Sequence, residues 1–202
     1  YTAAIWFMPG DSVNYEAIPG AVDVTIQSNV GAIWYVTPEG AGSGTSWDDS
    51  FGSLQTAVDT VAESGGGEIW VAAGMYTSLT DTVLRMAASA HLYGGFAGTE
   101  RFRGARDWSA NETIIDGQCA RRCVQGADDS TLDGFIVQNG AAHGGAGILN
   151  SYASPYIGHC TMQNNDSTWD DGGAMLNYHS SATISDCLFQ DNAAKSGYGG
   201  GI

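Results

Sequence analysis

The chain has 202 residues and a mass of 21.0 kDa, enough for one domain that buries about 70% of the surface its unfolded form exposes. Seven Lys plus Arg stand against 22 Asp plus Glu, and a net charge of −15 excludes nucleic acid as a partner, because phosphate binding needs clustered cations. The 43% hydrophobic content with scattered acids argues against disorder, and no run of about 20 apolar residues could span a bilayer.

In chain order, residues 1–37 read as extended, with apolar runs at Ala4–Met8, Ala21–Ile26 and Ala32–Val36 broken by Pro9-Gly10 and Pro19-Gly20. Ala4-Ile5-Trp6-Phe7 is similar to Ala32-Ile33-Trp34-Tyr35. Either these are two like strands that pair near a cap, or the first is exposed and pairs with another molecule. The chain opens on Tyr1 with no basic stretch before an apolar one, so the expectation is a secreted protein whose signal peptide is gone.

Residues 38–66 form the next segment, a cap. Between Ser53 and Ser64 the apolar residues Leu54, Ala57, Val58, Val61 and Ala62 recur at helical spacing, with Ser53 or Ser50 able to cap the start and Gly65-Gly66-Gly67 to stop it. The expected helix, about 53–64, would cover the end of whatever follows.

From residue 67 to 202 the chain repeats. Leu132–Asn139, Ile157–Asn164 and Ile184–Asp191 align at offsets of 25 and 27 residues, and Gly145–Asn150, Gly172–Asn177 and Gly199–Ile202 follow at 27 and 27. In each, an apolar residue, a gap of two and an alternating pair (Ile157, Cys160, Met162) read as two short strands joined at a sharp corner. Coils of this length with Gly and Asn at their corners are what a parallel β-helix requires, so the fold class is all-β: a parallel solenoid with an amino-terminal amphipathic capping helix. Cys160 should stack on Cys187, and Met162 on Phe189. Ile69–Val71, Leu92–Phe96 and Thr113–Gly117 read as successive earlier coils about 22 residues apart, and Thr99–Glu112 as a projecting loop. The carboxyl end reads as open, presenting Met175, Phe189 and Ile202. Residues 1–33, with Ile5, Trp6, Phe7 and Met8, are the candidate strand donor for a homo-oligomer or head-to-tail filament, the alternative being a longer repeat protein.

Trp34–Gly40, Gly44–Trp47, Glu68–Tyr76, Leu92–Phe96, Arg106-Asp107-Trp108, Phe189–Asn192 and Gly172–Met175 resemble bacterial secreted right-handed β-helix proteins with polymorphic-outer-membrane-protein-type repeats, over about residues 34–202. The resemblance implies a right-handed, pectate-lyase-like fold and a secreted or surface-exposed location. The role it implies is structural or adhesive.

The chemistry-bearing residues are few. Elimination on a uronic-acid polymer needs carboxylates holding Ca²⁺ beside a basic residue, and the coils after residue 123 contain only Lys195. A hydrolase would need paired carboxylates with a His and a basic clamp; Asp170-Asp171 is present, but Arg-Ile-Lys and Gly-His-Gly motifs are absent. No cofactor is expected and catalysis is not. Asp166, Asp170 and Asp171, with Asn165, are candidate Ca²⁺ ligands, against the alternative of solvated turns; Asp48-Asp49 and Asp128-Asp129 are read the same way. His91, His143, His159 and His179 share no coil position. Cys119 and Cys123 could close a small disulfide ring in an oxidising compartment. Asn111 and Asn165 begin glycosylation sequons. Tyr152, Tyr156, Trp169, Tyr178 and Tyr198 could offer stacking surfaces to carbohydrate or a partner, or pack at the core edge.

Overall fold

Repeats that align in sequence lie side by side in the computed structural model, which describes residues 32–168 and 171–202 and the backbone of two short strands, Val13–Asn14 and Gln27–Ser28. Those two strands pair antiparallel within a unit of their own, Tyr1–Gly31. Ala32–Ile202 is an all-parallel, multi-sheet β-solenoid with one α-helix among the described residues.

Each coil crosses three faces. The first carries six strands in spatial sequence: Ile33–Val36, Gly67–Ala72, Ala90–Phe96, Thr131–Asp133, Tyr156–Gly158 and Thr183–Ser185. The second carries Gly74–Tyr76, Thr113–Asp116, Ile136–Gln138, Thr161–Gln163 and Leu188–Gln190, and the third Thr82–Arg85, Arg122–Gln125, Ile148–Ser151 and Met175–Tyr178. Three two-residue strands, Ala141–Ala142, Asp166–Ser167 and Ala193–Ala194, bridge the second and third faces.

Register follows the apolar pattern. Leu132 pairs with Ile157 and Ile157 with Ile184; Val137 pairs with Met162 and Met162 with Phe189; Ile148 pairs with Met175. The inward residues form columns that are buried until the last coil, where Ile184 and Phe189 are half-buried. Each fully buried aliphatic side chain contributes roughly 1.5–3 kcal/mol, and a one-residue slip would turn a whole column outward. The corner residues explain the Gly, Asn, Asp and His usage: Gly134, His159 and Asp186 have φ of 79°, 48° and 53°, and Asn139, Asn164 and Asp191 have 54°, 54° and 53°. This left-handed region suits glycine and short polar side chains.

Three sequence expectations change. Thr113–Asp116 lies on the second face, between Met75 and Ile136, rather than continuing the Ile69–Leu92 column. The first-face column passes from Leu92 to Leu132, so this coil is 40 residues long and the 97–112 segment is inserted inside it. That segment folds back on the coils rather than projecting, through Arg106 and Trp108. Finally, Ile33–Val36 pairs in parallel with Gly67–Ala72, so the stack begins before the cap.

The helix Leu54–Glu63 starts at Ser53, whose hydroxyl accepts from Thr56 N at 3.3 Å, and it buries Leu54, Ala57, Val58 and Val61 over the core. This end is closed in two further ways. Residues 40–51 bond to the edge of Ile33–Val36, through Tyr35 N to Gly44 O and Phe51 N to Tyr35 O, both 2.9 Å. The Gln55 amide serves Arg85 as a substitute strand, accepting from Arg85 N at 2.8 Å and donating to Arg85 O at 3.1 Å. At the other end Thr183–Ser185 and Leu188–Gln190 are edge strands among the described residues, with Leu188 and Ile202 exposed. Met175 is not exposed there: the coil that follows covers it completely, with Met175 N bonding to Gly201 O at 3.0 Å. Ile5, Trp6, Phe7 and Met8 lie outside the described residues.

Candidate functional site

The inserted 97–112 segment brings cationic and aromatic side chains to the corner between the first and second faces. Its Glu100 carboxylate is partly buried, which raises its pKa, but the N–H groups of Ala97, Thr99 and Gly98 outweigh that and hold it below the usual range. Arg103 pairs with Glu68 and lies 4.5 Å over the Tyr93 ring, while Glu68 also accepts from Trp70 Nε1 at 2.8 Å. Trp70 stacks on Phe96 at 4.9 Å, and Trp47, tilted on Phe96 at 5.5 Å, meets Tyr35 at 4.8 Å. Trp47 Nε1 also donates to Glu100 O at 2.9 Å, and this bond with the Arg103 contacts pins the insertion to the first face.

Beyond this anchor lies a charged lock. Arg106 Nη2 donates to Asp133 Oδ1 at 2.5 Å, with the two side chains 9% and 7% exposed. Arg106 Nη1 also donates to the carbonyls of Gly94 (3.1 Å) and Asp133 (3.2 Å). The guanidinium lies 4.9 Å over Trp108, whose indole centroid is 4.4 Å from the His159 ring. His159 Nδ1 lies 3.1 Å from Asp133 Oδ2, and its Nε2 lies 4.0 Å from Asp186 Oδ2. An ionised Asp133 can only accept, so Nδ1 carries the proton and Nε2 is left for the solvent side.

In front of this lock lies a groove of about 290 Å³, lined by Trp108, Ser109, Glu112, His159, Thr161 and Asp186, with Ile136 and Leu188 as its apolar part. The sequence reading missed it. His159 looks there like any other left-handed corner residue, and Arg106-Asp107-Trp108 entered only through the resemblance. Its partners are 26 and 27 residues distant, a separation that only the stack makes local.

The other candidates are scattered. Cys160 and Cys187 occupy one inward column, as expected, and their contact is reciprocal: burial and the Cys187 sulfur push the Cys160 thiol well up, while the hydrogen bond from Cys160 lowers Cys187. Cys119 and Cys123 are not bridged. All four cysteines are free, because Cys123 points into the core from its strand, donating to Gln138 O at 3.1 Å, while Cys119 sits on an exposed turn. Burial pushes the Cys123 thiol up to about 12.

Asp166 faces Lys195, Asp171 accepts from Tyr198 N at 2.5 Å, and Asp170 lies outside the described residues. No cluster of three metal-ligating side chains occurs among the described residues. The Asn165 sequon is closed: Asn165 is fully buried, accepting from Gly140 N at 2.9 Å and donating to Val137 O at 2.9 Å and Asn192 Oδ1 at 3.0 Å. Tyr152 and Tyr178 are exposed and meet edge-to-face at 5.6 Å, with His179 stacked on Tyr152 at 4.9 Å. Tyr198 is exposed and Tyr156 half-buried; Trp169 lies outside the described residues. No helix among the described residues is long and apolar enough to cross a membrane.

Compared with known proteins, the chain matches no family model, no curated protein and no solved structure, and what stands is an all-parallel β-solenoid with a preformed groove at one corner.

Proposed function

We propose that this chain is a non-catalytic structural module of the cell exterior, secreted or surface-held, and wound as a right-handed parallel β-helix of the pectate-lyase-like kind. Right-handed connection is the rule where parallel strands of one sheet are joined by crossovers. The observation that carries the reading is the column of in-register partners from Ile69 through Leu92, Leu132 and Ile157 to Ile184, a stack built by adding coil to coil. The arginine beside the groove supports binding over proton abstraction, since Arg106 is fully engaged by Asp133 and two carbonyls.

Growth along the axis is one-directional in this reading. Residues 40–51 occupy the amino edge, whereas the Leu188–Gln190 edge can receive a further coil of this chain or a strand from a second copy. Sedimentation velocity and electron microscopy on the full chain and on a chain lacking residues 1–30 test this. Polymers that vanish on deletion support donation by the Ile5–Met8 stretch; polymers of unchanged abundance refute it, and a strictly monomeric full chain refutes self-assembly.

A second, adhesive reading is favoured by the exposed Tyr152–Tyr178–His179 ring cluster, whose faces suit stacking on carbohydrate. Retention on a glycan-coated surface that is lost in Tyr152→Ala/Tyr178→Ala would support it. Absence of retention across neutral, acidic and amine-bearing glycans would end it.

A further inference from the structure

The corner groove has a chemistry of its own, and we infer that it binds a single sugar ring bearing a free amine. This deepens the adhesive reading and rests on it, but at a different surface from the tyrosine cluster. Three features converge.

The first is charge. Among the described residues Glu112 has no hydrogen-bond or ion partner for its carboxylate, and Asp186 has only the Ser185 hydroxyl at 2.7 Å and the more distant His159. Among the described residues no Lys or Arg lines the groove, because Arg106 is turned away into its pair with Asp133. The groove therefore holds two carboxylates without a counter-cation on a molecule of net charge −15, and it favours a ligand that brings the cation.

The second is surface. Trp108, Ile136 and Leu188 supply apolar area, with Trp108 and Leu188 both exposed, against which the C–H face of a pyranose can lie. The third is the set of neutral polar groups. Ser109, Thr161 and His159 line the same space, and their polar groups match ring hydroxyls that an alkyl ammonium lacks. A volume of about 290 Å³ suits one ring rather than a helix or strand of a partner. The Arg106–Asp133–His159 lock fixes the wall beforehand, so little ordering is needed on binding.

The test titrates the full chain with D-glucosamine, D-glucose and Nα-acetyl-lysine amide, read by tryptophan fluorescence and amide chemical shifts. Glucosamine should saturate and shift the amides of residues 109, 112, 159–161 and 186. Glu112→Gln and Asp186→Asn should each weaken it about tenfold or more, as for charge-assisted hydrogen bonds, and Glu63→Gln on the outer helix face should leave it unchanged. Glucose binding as tightly as glucosamine overturns the role of charge, and acetyl-lysine amide doing so overturns the role of the ring. No saturable glucosamine response up to about 10 mM overturns the site. If glucosamine fails while glycan-surface retention persists and still depends on Tyr152 and Tyr178, this inference falls and the adhesive reading stands.

Discussion

Asp133→Asn separates the charge of the corner lock from its shape. In the wild type, Asp133 neutralises an Arg106 side chain that is 9% exposed, through one bond of 2.5 Å, and steadies His159 Nδ1 at 3.1 Å. Breaking a buried ion pair by removing one partner costs about 3–5 kcal/mol. Here the guanidinium keeps two backbone acceptors, the carbonyls of Gly94 and residue 133, so the loss should lie nearer that of one charge-assisted hydrogen bond, about 2–3 kcal/mol. With a urea dependence of about 3 kcal/mol per molar for a chain of this size, the unfolding midpoint should fall by just under about 1 M. Arg106→Met should cost a similar amount, since its stem still packs but Asp133 is left buried against a single partner. The double variant should be less destabilised than the sum of the singles by about 1.5–3 kcal/mol. Urea unfolding followed by tryptophan fluorescence and far-ultraviolet dichroism measures all four corners of the cycle. Either single variant costing under about 0.5 kcal/mol, or additivity within about 0.5 kcal/mol, would refute the view that this pair holds the inserted segment on the coils.

Asn165→Leu should destabilise by about 2–4 kcal/mol in the same assay, because it leaves Gly140 N and Val137 O buried without their side-chain partner. Gly95→Ala should free the insertion. Gly95 has φ of 92°, and a Cβ there would sit 2.7 Å from the Trp108 backbone, so melting temperature and groove tryptophan fluorescence should change together, with at least about 1–2 kcal/mol lost. Iodoacetamide on the native chain should label Cys119 and Cys187 and spare Cys123 and Cys160 until unfolding, as peptide mass spectrometry will show. The lowered pKa of Cys187, about 7, means its labelling rate should rise through neutral pH and level off above it. Adding reductant should leave the melting temperature unchanged, since no disulfide links Cys119 to Cys123.

The carboxyl half of the fold was legible because its coils are nearly equal in length. At 25 and 27 residues the columns Leu132–Ile157–Ile184 and Val137–Met162–Phe189 can be aligned by eye, and the gap before each alternating pair marks a corner that His159 and Asp186 occupy in left-handed conformation. The amino half was less so. A 40-residue coil hides the equivalence of Leu92 and Leu132, and Thr113–Asp116 then takes the apparent place of the missing first-face strand. The groove left no local signature at all. Arg106 becomes buried only because Asp133 and Gly94 come together one coil apart, and burial of a charge cannot be read from periodicity.

One line of side chains along the second face has a directional consequence. The Asp116 carboxylate can only accept, so Gln138 must turn its amino group toward it (2.9 Å), which leaves the Gln138 oxygen for Gln163 (2.9 Å) and the Gln163 oxygen for Gln190 (2.7 Å). A single buried anion thus sets the orientation of three amides, the last of them three rungs away. Flipping Gln138 or Gln163 would set oxygen against oxygen on one side and nitrogen against nitrogen on the other, and flipping the whole row would set the Gln138 oxygen against the Asp116 carboxylate. Whatever loosens Asp116 should therefore be felt at Gln190, as in a row of compass needles held by one magnet.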